Sequence, residues 1–145
     1  MNLLAFTGSQ RRESKSTKLH NEFLKAFITN EFKVDIINAY QPDVNPCMGC
    51  GHCASELQCS FSDGMSDIYS LIKEADIISV SSPLYFSAFP APLKTIIDRC
   101  QLLWEEKRNN IPMKRKRGFF FAQPDLTIMI FFAALLYVLN IFLIQ

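Results

Sequence analysis

The sequence predicts an α/β protein built on an open parallel β-sheet with helices on both faces. Short, nearly continuous apolar runs at residues 2–7, 33–37 and 76–82 have the pattern of strands buried on both sides. Stretches with apolar residues three and four apart follow these runs, so strand and amphipathic helix alternate along the chain. The length, 145 residues, is that of one domain with a substantial core.

The first run, NLLAFT at residues 2–7, ends at Gly8-Ser9 and reads as a buried strand feeding a turn. The next stretch, SQRRESKST at residues 9–17, is rich in hydroxyls and carries two arginines. Leu19, Phe23, Leu24, Phe27 and Ile28 then recur at helical spacing, which predicts a helix from Ser16 to Thr29 with His20 on its surface. A strand, a polar loop and a helix N-terminus together present backbone N–H groups and the positive end of a helix dipole to an anion. Ser9, Ser14, Ser16, Thr17 and the guanidinium of Arg11 can complete a phosphate cradle. The same stretch also fits an ordinary polar loop with a capping serine. Neither a GxGxxG fingerprint nor a Walker A sequence is present.

The second strand, KVDII at residues 33–37, leads through Asn38–Pro46 into a cysteine-rich loop. Met65, Ile68, Tyr69 and Ile72 mark a further amphipathic helix ending near Ala75, introduced by Ser62-Asp63-Gly64. The strand at residues 76–82 stops at Pro83, and the loop after it, PLYFSAFPAP, offers aromatic rings beside the strand's carboxyl end. Leu93, Ile96, Ile97, Cys100 and Leu103 are spaced for the buried stripe of one long helix, with Cys100 a core thiol. GFFFA at residues 118–122 reads as a fourth strand.

Four of the five cysteines fall within the loop at residues 46–60, PCMGCGHCASELQCS. They are Cys47, Cys50, Cys53 and Cys59, spaced C-x2-C-x2-C-x5-C. Gly49 and Gly51 allow the backbone to curl with positive φ, so that thiolates two residues apart converge on one centre. Three cysteines in successive x2 steps are the run that holds three corners of a cubane in bacterial ferredoxins, and Cys59 is close enough to close the site. The spacing favours a 4Fe-4S cluster. Zinc lacks the usual second, separated C-x2-C knuckle, and plain thiols without metal remain a third reading. His52 lies in the loop, but four thiolates complete a site without it.

Net charge is +1, so the composition carries no nucleic-acid footprint. Cysteines in this number with no secretory signal at the N-terminus point to a reducing, cytoplasmic setting.

GSQRRESKSTKL near the start, CMGCGHC in the middle and ADIISVSSPLYFSAFPAPLKTIIDR after it resemble the flavodoxin-like NAD(P)H-dependent FMN reductases. Within that superfamily the chain is most similar to the iron-sulfur flavoproteins, over residues 1–121. The resemblance implies a flavodoxin-like sheet with FMN at the carboxyl ends of its strands. It maps the phosphate loop onto Ser9, Arg11, Ser14, Ser16 and Thr17, with Gln10 where proline is common. The loop that touches the isoalloxazine maps onto Pro83, Leu84, Tyr85, Phe86 and Ser87, and the cluster ligands onto Cys47, Cys50, Cys53 and Cys59. It further implies NAD(P)H as electron donor, a redox partner such as ferredoxin or a small acceptor, and a homo-oligomer. No single residue need act as a general acid or base.

The end of the chain departs from that pattern, so the final strand and helix of the fold are expected to be altered or missing. After Lys114-Arg115-Lys116-Arg117, residues 122–145 form an apolar tail. Leu126–Ile144 is a 19-residue window without charge, its polar residues being Thr127 and Asn140. Three readings compete. The tail is a membrane anchor, by length and hydropathy; a buried strand and helix that complete the sheet in another way; or the product of a shifted or truncated reading frame. The last would leave an exposed sheet edge and a chain that is a non-catalytic remnant.

Overall fold

The computed structural model of the protein describes residues 1–28, 31–86 and 88–122. In chain order the elements are β1 (Asn2–Thr7), α1 (Lys15–Lys25), β2 (Lys33–Asn38), α2 (His52–Glu56), α3 (Met65–Glu74), β3 (Ile77–Ser82), α4 (Ala91–Arg99), α5 (Gln101–Arg108) and β4 (Arg117–Ala122).

The four strands form one sheet in the order β2-β1-β3-β4, and every pairing is parallel. This is the order of the first four strands of the doubly wound 2-1-3-4-5 arrangement, whose direction of winding reverses between β1 and β3. Alternation along the strands divides the core. Leu4 and Phe6 of β1 and Ile78 of β3 pack with Met65, Ile68, Tyr69 and Ile72 of α3, Leu93 and Ile96 of α4, and Leu102 and Leu103 of α5. On the opposite face Leu3, Ala5 and Ile77 pack with Leu24 of α1, flanked by Phe23 and Phe27. Helices therefore cover both faces, as the apolar runs predict.

Four features differ from the sequence reading. First, His20 is not a surface residue: it is 0% exposed, with Nε2 2.8 Å from Ser79 Oγ and its ring 5.2 Å from that of Phe121. It lies on the same side of α1 as Leu24, four residues on, so the apolar stripe is wider than its hydrophobic members suggest. Second, α1 ends at Lys25 rather than near Thr29, with the Ala26 and Phe27 N–H groups bonding back to Phe23 and Leu24.

Third, the long helix is two, α4 and α5, meeting at Cys100 (φ −66°, ψ 1°). The Tyr69 hydroxyl donates to the Arg99 carbonyl at 2.7 Å. A side chain inserted into the helical ladder in this way is a recognised cause of a kink. Cys100 itself is buried, as expected, and burial pushes its thiol up to about 12. Fourth, His52 opens a short helix, α2, inside the cysteine loop. The membrane-anchor, strand-and-helix and frame-shift readings of the tail fall on residues 123–145, outside the described residues. Among the described residues no helix is long and apolar enough to cross a membrane.

Candidate functional site

Because all four strands are parallel, the loops after β1, β2 and β3 leave from the same edge of the sheet. At that edge β1 and β3 are pressed together: the Gly8 N–H donates to the Ser81 carbonyl at 2.7 Å. A Cβ on Gly8 would sit 2.6 Å from Ser82 Oγ and 2.7 Å from Leu93 Cδ2, so any side chain there would have to push both neighbours aside. The strand connections diverge from this point, which leaves a crevice of the kind that ligands occupy in open α/β sheets.

The loop after β1 gathers the predicted hydroxyls. Ser14 is the N-cap of α1, its Oγ accepting from the Thr17 N–H at 3.2 Å. The same Oγ lies 2.6 Å from Thr17 Oγ1 and 3.2 Å from Ser16 Oγ. Ser9 Oγ accepts from the Arg11 N–H at 3.2 Å and folds the loop back. Ser9, Ser16 and Thr17 are buried, while Arg11, Arg12, Lys15 and Lys18 are exposed around them. Among the described residues, Glu13 offsets part of that charge, through Lys18 at 2.9 Å. The result is a hydroxyl-lined, electropositive helix N-terminus, suited to an anion.

The loop after β3 turns tightly. Tyr85 and Ala88 exchange both backbone hydrogen bonds, at 2.9 and 3.0 Å. Phe86 takes a left-handed conformation (φ 49°) with its ring fully exposed, and Tyr85 is exposed too. Pro83 and Leu84 are half-buried beneath them. A non-glycine residue with positive φ carrying a large exposed ring is strained and unsheltered at once. Ser87 lies outside the described residues.

The cysteine loop is built as its glycines predict: Gly49 and Gly51 have φ of 64° and 73°. Cys47, Cys50, Cys53 and Cys59 are all free thiols, and all four line one cavity of about 230 Å³. Beyond the loop itself, its wall includes Phe61, Tyr69, Arg99, Gln101, Leu102 and Glu105. Hydrogen bonding, led by the Ser60 hydroxyl 3.4 Å away, lowers the Cys50 thiol below its ordinary value, whereas burial raises that of Cys53. Among the described residues no group of three or more His, Cys, Asp or Glu side chains is arranged to share a single metal ion. One ion held by thiolates at ~2.3 Å would need its sulfurs within about 4 Å of each other. A cubane, in which each thiolate binds a different iron, spreads them wider. The donor set and the shared cavity fit the larger group better than an ion.

An ion pair closes the base of this loop. Arg99 (2% exposed) reaches Asp63 (5% exposed) with both terminal nitrogens, Nη1 to Oδ2 at 2.8 Å and Nη2 to Oδ1 at 3.1 Å. Nη1 also donates to the Asn45 carbonyl at 2.8 Å. Asp63 further accepts from the Asn45 N–H at 3.0 Å and the Met65 N–H at 3.1 Å. Residues just before the first cysteine and just after the last are thereby joined through one guanidinium on α4. Burial pushes the Asp63 carboxyl up, but Arg99 and the backbone donors outweigh it and hold it well below the usual carboxylate range. The Arg99 guanidinium also lies 4.8 Å from the centre of the Phe61 ring.

The site residues thus form two groups. The four cysteines share a cavity on the α3–α4–α5 side of the sheet. None of Ser9, Arg11, Ser14, Ser16, Thr17, Pro83, Leu84, Tyr85 or Phe86 is among the residues lining it. The sequence did not single out Arg99 and Glu105, and it marked Asp63 and Tyr69 only as a helix start and a member of a helical stripe. The signal for Arg99 was its register: it follows Ile96 by three residues and falls on the stripe that carries Leu93 and Leu103.

An open parallel sheet ordered β2-β1-β3-β4 with helices on both faces and ligand-ready loops at one edge defines the flavodoxin-like class. RosB, solved with bound 8-demethyl-8-formylriboflavin-5'-phosphate, shares this fold with a TM-score of 0.68 at 13% identity, covering 100% of this chain and 61% of RosB. The NAD(P)H:quinone oxidoreductase of Methanothermobacter marburgensis shares it with a TM-score of 0.64 at 16% identity, over 97% of this chain and 70% of that one.

Residues 1–125 match the NADPH-dependent FMN reductase family, and the chain belongs to it. An iron-sulfur flavoprotein of Methanocaldococcus jannaschii is 35% identical over 103 residues, which is 71% of this chain and 53% of that protein. An iron-sulfur flavoprotein of Methanosarcina thermophila is 32% identical over 118 residues, 81% of this chain and 60% of that protein. The chain therefore spans a little over half the length of these relatives.

Proposed function

We propose that this chain is an FMN-dependent oxidoreductase, linked to NAD(P)H, that carries a 4Fe-4S cluster and passes single electrons between cluster and flavin. The observation that carries the reading is the convergence of four free thiols on one cavity in a chain of an FMN reductase family. Curated relatives named as iron-sulfur flavoproteins support it.

In this reading the flavin phosphate lies at the N-terminus of α1, against Ser9, Ser14, Ser16 and Thr17, with Arg11 supplying charge. Pro83, Leu84, Tyr85, Phe86 and Ser87 contact the ring system. Their exposed aromatic surface becomes the apolar floor that a flat redox ring needs, and backbone N–H and C=O groups tune its electronics. Cys47, Cys50, Cys53 and Cys59 hold the cluster, and the partly buried Cys53 and Cys59 shield it from water. Bound together, the two groups supply two-electron exchange with a nicotinamide and one-electron exchange with a partner such as ferredoxin or a small acceptor. The protein acts as a homo-oligomer in the cytoplasm.

A second reading is a metal-free NAD(P)H-dependent FMN reductase, in which the four loop cysteines stay free thiols. Anaerobic reconstitution with iron, sulfide and FMN separates the two. The first reading expects a brown protein whose iron-sulfur absorbance is lost in Cys50→Ser while its flavin is kept. A yellow protein with four titratable loop thiols and no bound iron selects the second, and a colourless one rejects both.

A further inference from the structure

The cavity wall contains one donor that the protein leaves unused. Arg99 meets Asp63 end-on, with Nη1 and Nη2, and Nη1 also serves the Asn45 carbonyl. Its Nε is buried and has no hydrogen-bond partner. A guanidinium N–H removed from water without an acceptor is costly, so each such group calls for an explanation. Arg99 is 2% exposed and lines the cavity shared by Cys47, Cys50, Cys53 and Cys59. The acceptors in that cavity include the four cysteine sulfurs, the Ser60 hydroxyl and the Tyr69 hydroxyl, whose own proton goes to the Arg99 carbonyl. The other charged group of the wall, Glu105, is already engaged by Arg108 at 3.0 Å and Gln101 at 3.0 Å.

We infer that Arg99 is a positioning and tuning residue for the cluster, donating its Nε–H to a cysteine sulfur or sulfide of the loaded site. The inference rests on the cluster reading above and adds to it the residue that sets the potential. With two ferric and two ferrous ions, four sulfides and four thiolates, the oxidised cluster carries a charge of about −2, and one more electron on reduction. A hydrogen bond to sulfur from a cationic donor stabilises the more negative state, so it raises the reduction potential. The Asp63 fork holds the guanidinium in the one orientation that leaves Nε–H facing away from the carboxylate. The same residue thereby clamps the loop and addresses the cluster.

The test is a potentiometric titration of the full chain after anaerobic reconstitution, following the reduced cluster by electron paramagnetic resonance. Arg99→Lys keeps a positive charge near Asp63 but removes Nε–H. It is expected to shift the oxidised-to-reduced equilibrium about tenfold towards oxidised, about 59 mV lower in midpoint. Asp63→Asn loosens the same clamp but keeps the donor and frees its charge, so its midpoint rises. A purely structural role would lower iron content in both variants and leave both midpoints at the wild-type value, which overturns the inference alone. Should Arg99→Lys fail to fold, Asp63→Asn still decides, since an unchanged or lowered midpoint there refutes the assignment. Wild-type protein that retains flavin but takes up no iron sinks the cluster reading beneath it.

Discussion

Replacing either partner of the buried ion pair should destabilise the protein by unequal amounts, and the inequality can be worked from the contacts. In Arg99→Ala, Asp63 loses two hydrogen bonds and its counter-charge but keeps three donors: the Asn45 N–H and Nδ2 and the Met65 N–H. In Asp63→Ala, the guanidinium keeps the Asn45 carbonyl, at 2.8 Å, the face of the Phe61 ring and the Tyr69 hydroxyl, but no counter-charge. Removing one member of a buried pair costs about 3–5 kcal/mol because the other is left charged and unpaired. Arg99→Ala should fall at the lower end of that range and Asp63→Ala at the upper. The double variant should cost less than the sum of the singles, since neither charge is then stranded. At about 3 °C per kcal/mol for a domain of this size, the single variants should melt about 10–15 °C below wild type. Urea denaturation of the full chain under reducing, chelating conditions measures this without any cofactor. Losses below about 1 kcal/mol in both singles, or strict additivity in the double, would refute the clasp.

Other consequences follow from single residues. Asp63 has a depressed folded-state pKa, so its stabilisation is complete above the ordinary carboxylate value and decays as pH falls below about 4. Asp63→Asn should flatten the acid limb of a stability–pH curve. His20 is opposite in sense: burial lowers it to about 4, so the unfolded chain takes up a proton that the fold refuses. Stability should therefore drop between about pH 6.5 and pH 4, by up to about 3 kcal/mol, and His20→Leu should remove that slope in denaturation series across the range. Ser14→Ala deletes the N-cap of α1 and should cost about 1 kcal/mol while weakening FMN binding, read by quenching of flavin fluorescence. Gly8→Ala drives a methyl group into Ser82 and Leu93 and should cost about 1–3 kcal/mol in the melting curve, with a parallel loss of flavin affinity.

The parallel sheet was legible because its central strands, β1 and β3, are buried on both faces and appear as apolar runs, Leu3–Phe6 and Ile77–Ile78 among them, whereas β2 and β4 are only partly covered. The serine-rich turn and the cysteine loop were legible because hydroxyl caps and thiol spacing are local properties of the chain. What escaped depends on contacts between distant residues. His20 looks polar in sequence, yet Ser79, fifty-nine residues away, offers it a buried partner. The break at Cys100 is prompted by the Tyr69 hydroxyl, and nothing between Leu93 and Leu103 signals it. The clasp joins Asn45, Asp63 and Arg99 across 54 residues, so no window on the sequence contains it. Helix α2 is five residues long, shorter than any periodicity can register.

The proposed function requires one chain to hold two redox groups, a flavin at the serine turn and a cluster in the thiol cavity. An anaerobic reductive titration of the reconstituted 145-residue chain counts them directly. About three electron equivalents per chain are expected, two bleaching the flavin and one bleaching the iron-sulfur absorbance. An endpoint at two, with all the change in flavin bands and the loop thiols still reactive, would contradict it.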